Sequence, residues 1–113
     1  MRILGIDPGT GKLGWGVVDY EGNRVKMISY GCVTTPAHTP LSERLVKIFE
    51  DLKMIIGEHK PDKMAVEKLF FSQSVTTAMS VSEARGVVML CAALEKIPTV
   101  EYTPLQVKQA ITG

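Results

Sequence analysis

The sequence predicts an α/β fold in which a mixed five-stranded sheet carries helices on both faces. Two observations support this prediction. Short apolar runs with β-branched residues recur along the chain, and longer segments with helical periodicity alternate with them in its second half. The predicted order βββαβαβα is typical of a sheet with helices packed on its faces. At 113 residues, 45% hydrophobic and 22% charged, the chain is predicted to form one domain, residues 1–113.

The N-terminal part of the chain is predicted to be an antiparallel meander of three strands. Residues 2–7 form a short apolar run that ends at a Pro-Gly turn. A second apolar run covers residues 15–20, and the turn-like residues 21–23 separate it from the alternating run Arg24–Thr34. Tight turns between neighbouring strands are typical of antiparallel hairpins.

The rest of the chain alternates helices with short strands. Apolar residues recur at helical spacing from Leu41 to Ile56, and Gly57 and Pro61 are expected to end that helix. Another helix is expected to begin at Thr103, where Thr, Pro and Gln resemble a capping box. The remaining predicted elements are a strand at 63–66 that ends at Glu67, a helix at 74–94 and a strand at 99–102.

The composition excludes several classes of protein. The charges almost balance, with 13 Lys and Arg against 12 Asp and Glu, so nucleic-acid binding would have to come from a local patch. The longest apolar stretch, 86–94, spans about nine residues, and a membrane-spanning helix needs roughly 20. No signal-peptide pattern opens the sequence, and Cys32 and Cys91 lie far apart without neighbouring Cys or His ligands. We therefore expect a cytoplasmic protein without a disulfide framework or a zinc site.

Asp7 is the first candidate catalytic residue. It lies at the carboxyl end of the first predicted strand and is followed by a Pro-Gly turn. Ligands bind at that end of the strands in α/β folds, so a carboxylate there faces the open edge of the sheet. An Asp before a Pro-Gly turn also commonly hydrogen-bonds its own turn, and Asp7 alone does not distinguish the two roles.

Glu67 is the second candidate, because it ends a buried strand in the same way. If the two strands are neighbours and parallel, Asp7 and Glu67 project from the same end of the sheet. Two carboxylates held close repel each other unless one is protonated or a cation lies between them. Rigid oxygen ligands of this kind suit Mg²⁺ and metal-assisted phosphodiester hydrolysis. The structural alternative for Glu67 is a salt bridge to Lys63 or Lys68.

Two nucleotide-binding motifs are excluded. Residues 9–14 match the G-x-G-x-x-G pattern, but that pattern must open a helix and here a strand follows it. Gly11 and Lys12 resemble part of a phosphate-binding P-loop, but Leu13 stands where Ser or Thr is required.

Other features each allow a functional and a structural interpretation. Phe70 and Phe71 could stack on bases beside the metal site, or they could pack under their loop. The helix at 74–94 is apolar on several sides, so a second protomer or a further part of the domain could cover it. Lys108 could contact phosphate or be a solvated surface residue. Arg85 is expected to form a structural ion pair.

Four motifs together resemble the RuvC family of bacterial Holliday junction resolvases, in that family's order and spacing over essentially the whole chain. They are residues 3–10 (ILGIDPGT), 65–71 (AVEKLFF), 83–86 (EARG) and 106–110 (QVKQA). The resemblance implies a ribonuclease H-like fold and a homodimer that makes symmetric cuts in four-way DNA junctions during recombination and repair. It also implies Mg²⁺ as the cofactor, with Mn²⁺ as a substitute, and the RuvA–RuvB branch-migration complex as a partner.

The resemblance further implies roles for individual residues. Asp7 and Glu67 match the first two catalytic metal ligands of the family. Phe70 matches the aromatic residue that works at the bases of the junction, and Lys108 matches a basic residue that faces the DNA. The helix at 74–94 corresponds to the helix that forms the dimer.

One departure from the family concerns the metal site. RuvC proteins continue through a helix that supplies further carboxylates from an Asp-Ala-Ala-Asp-Ala-like stretch, and they carry another DNA-contacting lysine before it. No residue here matches either feature. The acidic residues after Glu67 are Glu83, Glu95 and Glu101, and Glu101 is expected to be structural. The chain is therefore expected to be a C-terminally truncated resolvase with half of the metal site and without full activity.

Three alternative functions remain open. Asp7, Gly9 and Thr10 also match the first hairpin of the actin/Hsp70/sugar-kinase superfamily, which binds ATP, although the second phosphate motif of those longer proteins is missing. Another ribonuclease H-like nuclease, one that acts on RNA, has a similar first motif. A junction-binding module without catalysis is the last alternative.

Overall fold

The described residues form a mixed five-stranded sheet with two helices. The structure is a computed structural model that describes residues 1–8, 12–68 and 75–102, and for residues 75–78 it describes the backbone alone. The elements in chain order are β1 (Arg2–Pro8), β2 (Lys12–Glu21), β3 (Arg24–Thr34), α1 (Leu41–His59), β4 (Lys63–Glu67), α2 (Val75–Leu94) and β5 (Thr99–Tyr102).

The strand order in the sheet is β3-β2-β1-β4-β5. Strands β1, β2 and β3 form the predicted antiparallel meander, whereas β4 pairs in parallel with β1 on one side and with β5 on the other. The predicted mixed sheet is thus confirmed. Because β1, β4 and β5 run in the same direction, their carboxyl ends meet at one edge of the sheet.

Both described helices pack on the same face of the sheet. Leu4 and Ile6 of β1 and Met64 and Val66 of β4 are fully buried in one core cluster, to which both α1 and α2 contribute. Side chains alternate between the two faces of a strand, so the residues between them point to the opposite face. The third predicted helix lies in 103–113, outside the described residues, and a helix on the second face therefore stays a prediction.

The predicted start of β2 was wrong. Strand β2 begins at Lys12 rather than at Trp15, because Leu13 pairs with Pro8 and is buried in the core. Helix α1 ends at His59, between Gly57 and Pro61, the two residues predicted to end it. It ends where Lys60 adopts a left-handed backbone conformation, with its N–H donating to the carbonyl oxygen of Ile56 at 2.8 Å.

Helix α2 is buried on one side. Val81, Ala84 and Val88 lie in the core, whereas Met79, Leu90 and Leu94 are more than half exposed. The sequence predicted burial on several sides, and within the described residues the outer side of α2 is uncovered. No helix in the described part of the chain is both long and apolar enough to cross a membrane.

Candidate active site

Asp7 lies on the open face of the sheet, near the carboxyl end of β1. Its neighbours along the strand, Ile6 and Pro8, are buried on the helix face, whereas Asp7 is exposed. Across the antiparallel pair, Asp7 is opposite Gly14 of β2. Because Gly14 has no side chain, nothing on β2 covers that flank of the Asp7 carboxylate.

Glu67 stands beside Asp7 at the end of the neighbouring strand. The parallel register pairs Ile6 with Val66, so the residues that follow them, Asp7 and Glu67, come side by side. Val66 is fully buried on the helix face, and the alternation of the strand therefore directs Glu67 to the open face. The condition attached to the sequence prediction, that the two strands are parallel neighbours, is satisfied.

The two carboxyl groups lie within hydrogen-bond reach of each other. The pKa of Glu67 is raised to about 7, first because its protonated carboxyl hydrogen-bonds Asp7, then because it is partly buried, and then because Asp7 is negatively charged. No positive side chain is among the causes that act on this pKa. The ion pairs of the described residues do not include one from Glu67 to Lys63 or Lys68.

The pair suits a divalent cation. Carboxylate oxygens on rigid strand ends are the ligands that Mg²⁺ prefers, and a cation between the groups would favour the charged form of both carboxyls. Among the described residues, no three or more His, Cys, Asp or Glu side chains are grouped so that they could hold a metal ion. None of the residues outside the described ranges is one of these four types, so Asp7 and Glu67 are the two carboxylates this chain places there.

The structure brings a third side chain to this site that sequence reasoning missed. Tyr102, the last residue of β5, is the register partner of Glu67 across the parallel pair. Burial, and then the negative charges of Glu67 and Asp7, raise the pKa of the Tyr102 hydroxyl. The sequence contained the information needed to predict this position, because Tyr102 ends a predicted strand just as Asp7 and Glu67 do.

An open groove of about 740 Å³ extends from this site along the uncovered face of the sheet. Asp7 and Tyr102 line it at one end, and Tyr20 lines it toward the other end of β2. Its floor includes Gly5 and Gly16, which are opposite each other on β1 and β2. Side chains therefore border this groove but do not fill it.

Arg85 and Glu101 have the structural role predicted for them. An Arg85 Nη2 atom lies 3.0 Å from Glu101 Oε1, which joins α2 to β5 on the helix face of the sheet. Glu101 thus points away from Asp7 and Glu67, and it cannot supply a third ligand beside them.

The other predicted site residues fall outside the described residues. Phe70, Phe71 and Lys108 were predicted to contact DNA, and the structure does not describe them. Of the predicted dimer helix, Ser74 is likewise not described, and α2 begins at Val75.

Comparison with known proteins assigns the family. The family model of Crossover junction endodeoxyribonuclease RuvC matches residues 3–113. The chain belongs to the RuvC family. The RuvC of Desulfitobacterium hafniense is 52% identical over 113 residues, which are 100% of this chain and 68% of that protein. The RuvC of Brevibacillus brevis has the same identity and coverage.

The fold of the RuvC family is also that of this chain. The structure of T. thermophilus RuvC in complex with Holliday junction substrate superposes with a TM-score of 0.90 and 32% sequence identity. The match covers 100% of this chain and 71% of the T. thermophilus chain. The predicted ribonuclease H-like sheet is thereby confirmed.

Proposed function

We propose that this chain is a Holliday junction resolvase: a metal-dependent endonuclease that cuts four-way DNA junctions in recombination and repair. The observation that carries the proposal is the contact between Asp7 and Glu67 at the ends of two parallel strands. Membership of the RuvC family supports the substrate, since the relatives are named crossover junction endodeoxyribonucleases. Residues 1–113 act as one nuclease domain.

Asp7 and Glu67 are the proposed ligands of Mg²⁺, with Mn²⁺ as a substitute. A divalent ion held there would activate water and stabilise the leaving oxygen of a phosphodiester. The chain's own contribution is positional, because the sheet holds both carboxylates side by side at one edge. The open face beside the pair leaves a DNA strand free to approach.

Three further residues are proposed to contact DNA, on the basis of the sequence alone. Phe70 and Phe71 follow Glu67 along the chain and are proposed to stack on unpaired bases at the junction. Lys108 is proposed to contact a backbone phosphate.

A homodimer formed through the helix at 74–94 is the proposed assembly. The exposed apolar side chains of α2, Met79, Leu90 and Leu94, recur at helical spacing on its uncovered side. A two-fold contact there would present two identical sites to the two symmetric strands of a junction. Cooperation with the RuvA–RuvB complex and a cytoplasmic location complete the proposal.

The 113-residue chain is proposed to bind junctions better than it cuts them. Mg²⁺ favours six oxygen ligands in octahedral geometry, and this chain contributes two carboxylates, so the ion is held weakly. Strong Mg²⁺-dependent cutting by the 113-residue chain would contradict this part of the proposal.

The experiment that tests the function compares a synthetic four-way junction, a linear duplex and a single-stranded RNA as substrates, with and without Mg²⁺ or Mn²⁺. We expect selective binding of the junction and slow, metal-dependent cutting that Asp7→Asn abolishes and Asp19→Asn leaves intact. Asp19 is the matched control, because it is a sheet carboxylate at the far end of β2. Preferential cutting of RNA, or thermal stabilisation by ATP without junction binding, would favour one of the alternatives.

A further inference from the structure

The site contains a tyrosine without a role in the proposed mechanism, and it belongs to a row of residues that crosses four strands. At the level of the carboxylate pair, the row runs from Gly14 on β2 through Asp7 on β1 and Glu67 on β4 to Tyr102 on β5. Glu67 therefore has Asp7 on one side and Tyr102 on the other.

The direction of the Tyr102 side chain follows from its neighbour. Glu101 forms its ion pair with Arg85 of α2 on the helix face, so the next residue of the strand points to the open face. Tyr102 lines the same groove as Asp7, and it is partly buried there. The N–H of Lys68 donates to the Tyr102 carbonyl oxygen at 2.6 Å, which ties the ends of β4 and β5 together.

The two flanks of the carboxylate pair differ in bulk. On the β2 side, Gly14 leaves the flank of Asp7 bare, whereas on the β5 side the ring of Tyr102 stands next to Glu67. A carboxylate that binds a metal is commonly hydrogen-bonded by a neighbouring group, which fixes its orientation. Tyr102 is a phenol with one O–H donor, and as the register partner of Glu67 on the same face of the sheet it is the neighbour able to supply such a bond.

We propose that Tyr102 is a positioning residue for Glu67: its ring closes the side away from Asp7, and its hydroxyl donates the hydrogen bond that orients the Glu67 carboxylate toward a divalent cation. This inference rests on the proposed function, since it assumes that Glu67 is a metal ligand. It assigns Tyr102 no contact with the substrate.

The test is Mn²⁺ affinity, measured by calorimetry on the 113-residue chain. Tyr102→Phe removes the hydroxyl and keeps the ring, and it is expected to weaken Mn²⁺ binding by roughly tenfold, the lower range for loss of a metal ligand's hydrogen-bond partner. Tyr20→Phe is the matched control, because Tyr20 lines the same groove at its other end, and its affinity should be unchanged. Both variants should keep the thermal stability of the metal-free protein, since each loses a single oxygen atom.

A spectroscopic measurement separates a positioning role from a packing role. Addition of Mn²⁺ should produce a near-ultraviolet tyrosine difference spectrum that is retained in Tyr20→Phe and lost in Tyr102→Phe. If Tyr102→Phe binds Mn²⁺ with unchanged affinity and keeps that spectrum, the positioning role is overturned.

Asp7→Asn, measured in parallel, distinguishes the failure of this inference from that of the proposed function. Loss of Mn²⁺ binding in Asp7→Asn together with unchanged binding in Tyr102→Phe overturns the role of Tyr102 alone. Unchanged Mn²⁺ binding in Asp7→Asn, or no Mn²⁺ binding by the unaltered chain, contradicts the metal site and with it both proposals.

Discussion

The carboxyl groups at the two ends of β1 have opposite electrostatic environments. At its amino end, Arg2 Nε lies 2.8 Å from Asp19 Oδ1, and the Arg2 backbone N–H donates to Asp62 Oδ2 at 2.7 Å. The hydrogen bond from Arg2 lowers the pKa of Asp19. At its carboxyl end, Asp7 contacts another carboxyl group, and the pKa of Glu67 is raised to about 7.

This contrast separates a structural arrangement from a functional one within a single strand. At the amino end, Arg2 supplies the positive charge, and its ion pair with Asp19 stabilises the charged form of that carboxylate in the folded protein. At the other end, the ion pairs of the described residues include none from Glu67, and its contact with Asp7 raises its pKa to about 7. Strongly shifted pKa values with a specific charge partner are typical of functional sites, and we expect a bound cation to supply the positive charge here.

The largest effect on junction cutting is expected when one negative charge is removed from the carboxyl end of β1. Asp7→Asn should reduce Mg²⁺-dependent junction cutting by a factor on the order of a thousand, since a principal electrostatic contribution to the transition state is lost. The slow cutting by this chain then falls below detection. Junction binding, measured by gel shift, should be nearly unchanged. Equal losses of binding and cutting would instead assign Asp7 a structural role.

A smaller effect is expected from the aromatic residue that follows the carboxyl end of β4. Phe70→Ala should reduce junction cutting by about tenfold, because stacking of one base on an aromatic ring contributes about 1–3 kcal/mol. Circular dichroism of the variant is the control. An unfolded Phe70→Ala protein would show that the ring belongs to the core, so that the functional region ends at Glu67.

The pH dependence of stability should have opposite signs at the two ends of β1. Because folding raises the pKa of Glu67 from 4.5 to about 7, its contribution is fully present below about pH 4.5 and is lost as the pH rises through about 7. Folding lowers the pKa of Asp19, so its contribution is present above the ordinary value of 3.8 and is lost as the pH falls below it.

Melting curves of the metal-free protein measure the contribution of Glu67 to stability. The Tm should fall by several degrees as the pH rises from about 4.5 to about 7, and Asp7→Asn should reduce that decrease. A Tm that rises over the same interval would contradict the raised pKa of Glu67.

The smallest effect is expected at the amino end. Asp19→Ala should lower the Tm slightly and leave metal binding and junction cutting unchanged, since exposed ion pairs contribute little to stability. Impaired cutting in this variant would show that the amino end of β1 affects the active site. The amino end would then not be purely structural.

Much of the site could be predicted from positions along the chain. Apolar runs located β1 and β4, and the acidic residue at the end of each run identified Asp7 and Glu67 as candidates. The ion-pair role of Arg85 was also predicted, because a charged side chain within a largely apolar helix requires a partner. Phe70, Phe71 and Lys108 stay predictions, since they lie outside the described residues.

The element boundaries have local physical reasons. Helix α1 ends between Gly57 and Pro61, as predicted: a single glycine lowers helix stability by only about 1 kcal/mol, and the packing of Ile55 and Ile56 in the core outweighs it. The start of β2 was placed too late because Lys12 and Gly14 are poor strand formers, whereas pairing with both β1 and β3 extends the strand to Lys12.

By itself, the sequence determined which segments form strands and helices, which faces of them are apolar, and which strands end in a carboxylate. These properties depend on neighbours along the chain. Only the tertiary structure decided that β4 lies between β1 and β5, because strand order depends on contacts between residues far apart in sequence. That order puts Asp7 and Tyr102 on either side of Glu67, and the resulting contact with Asp7 raises the pKa of Glu67 to about 7.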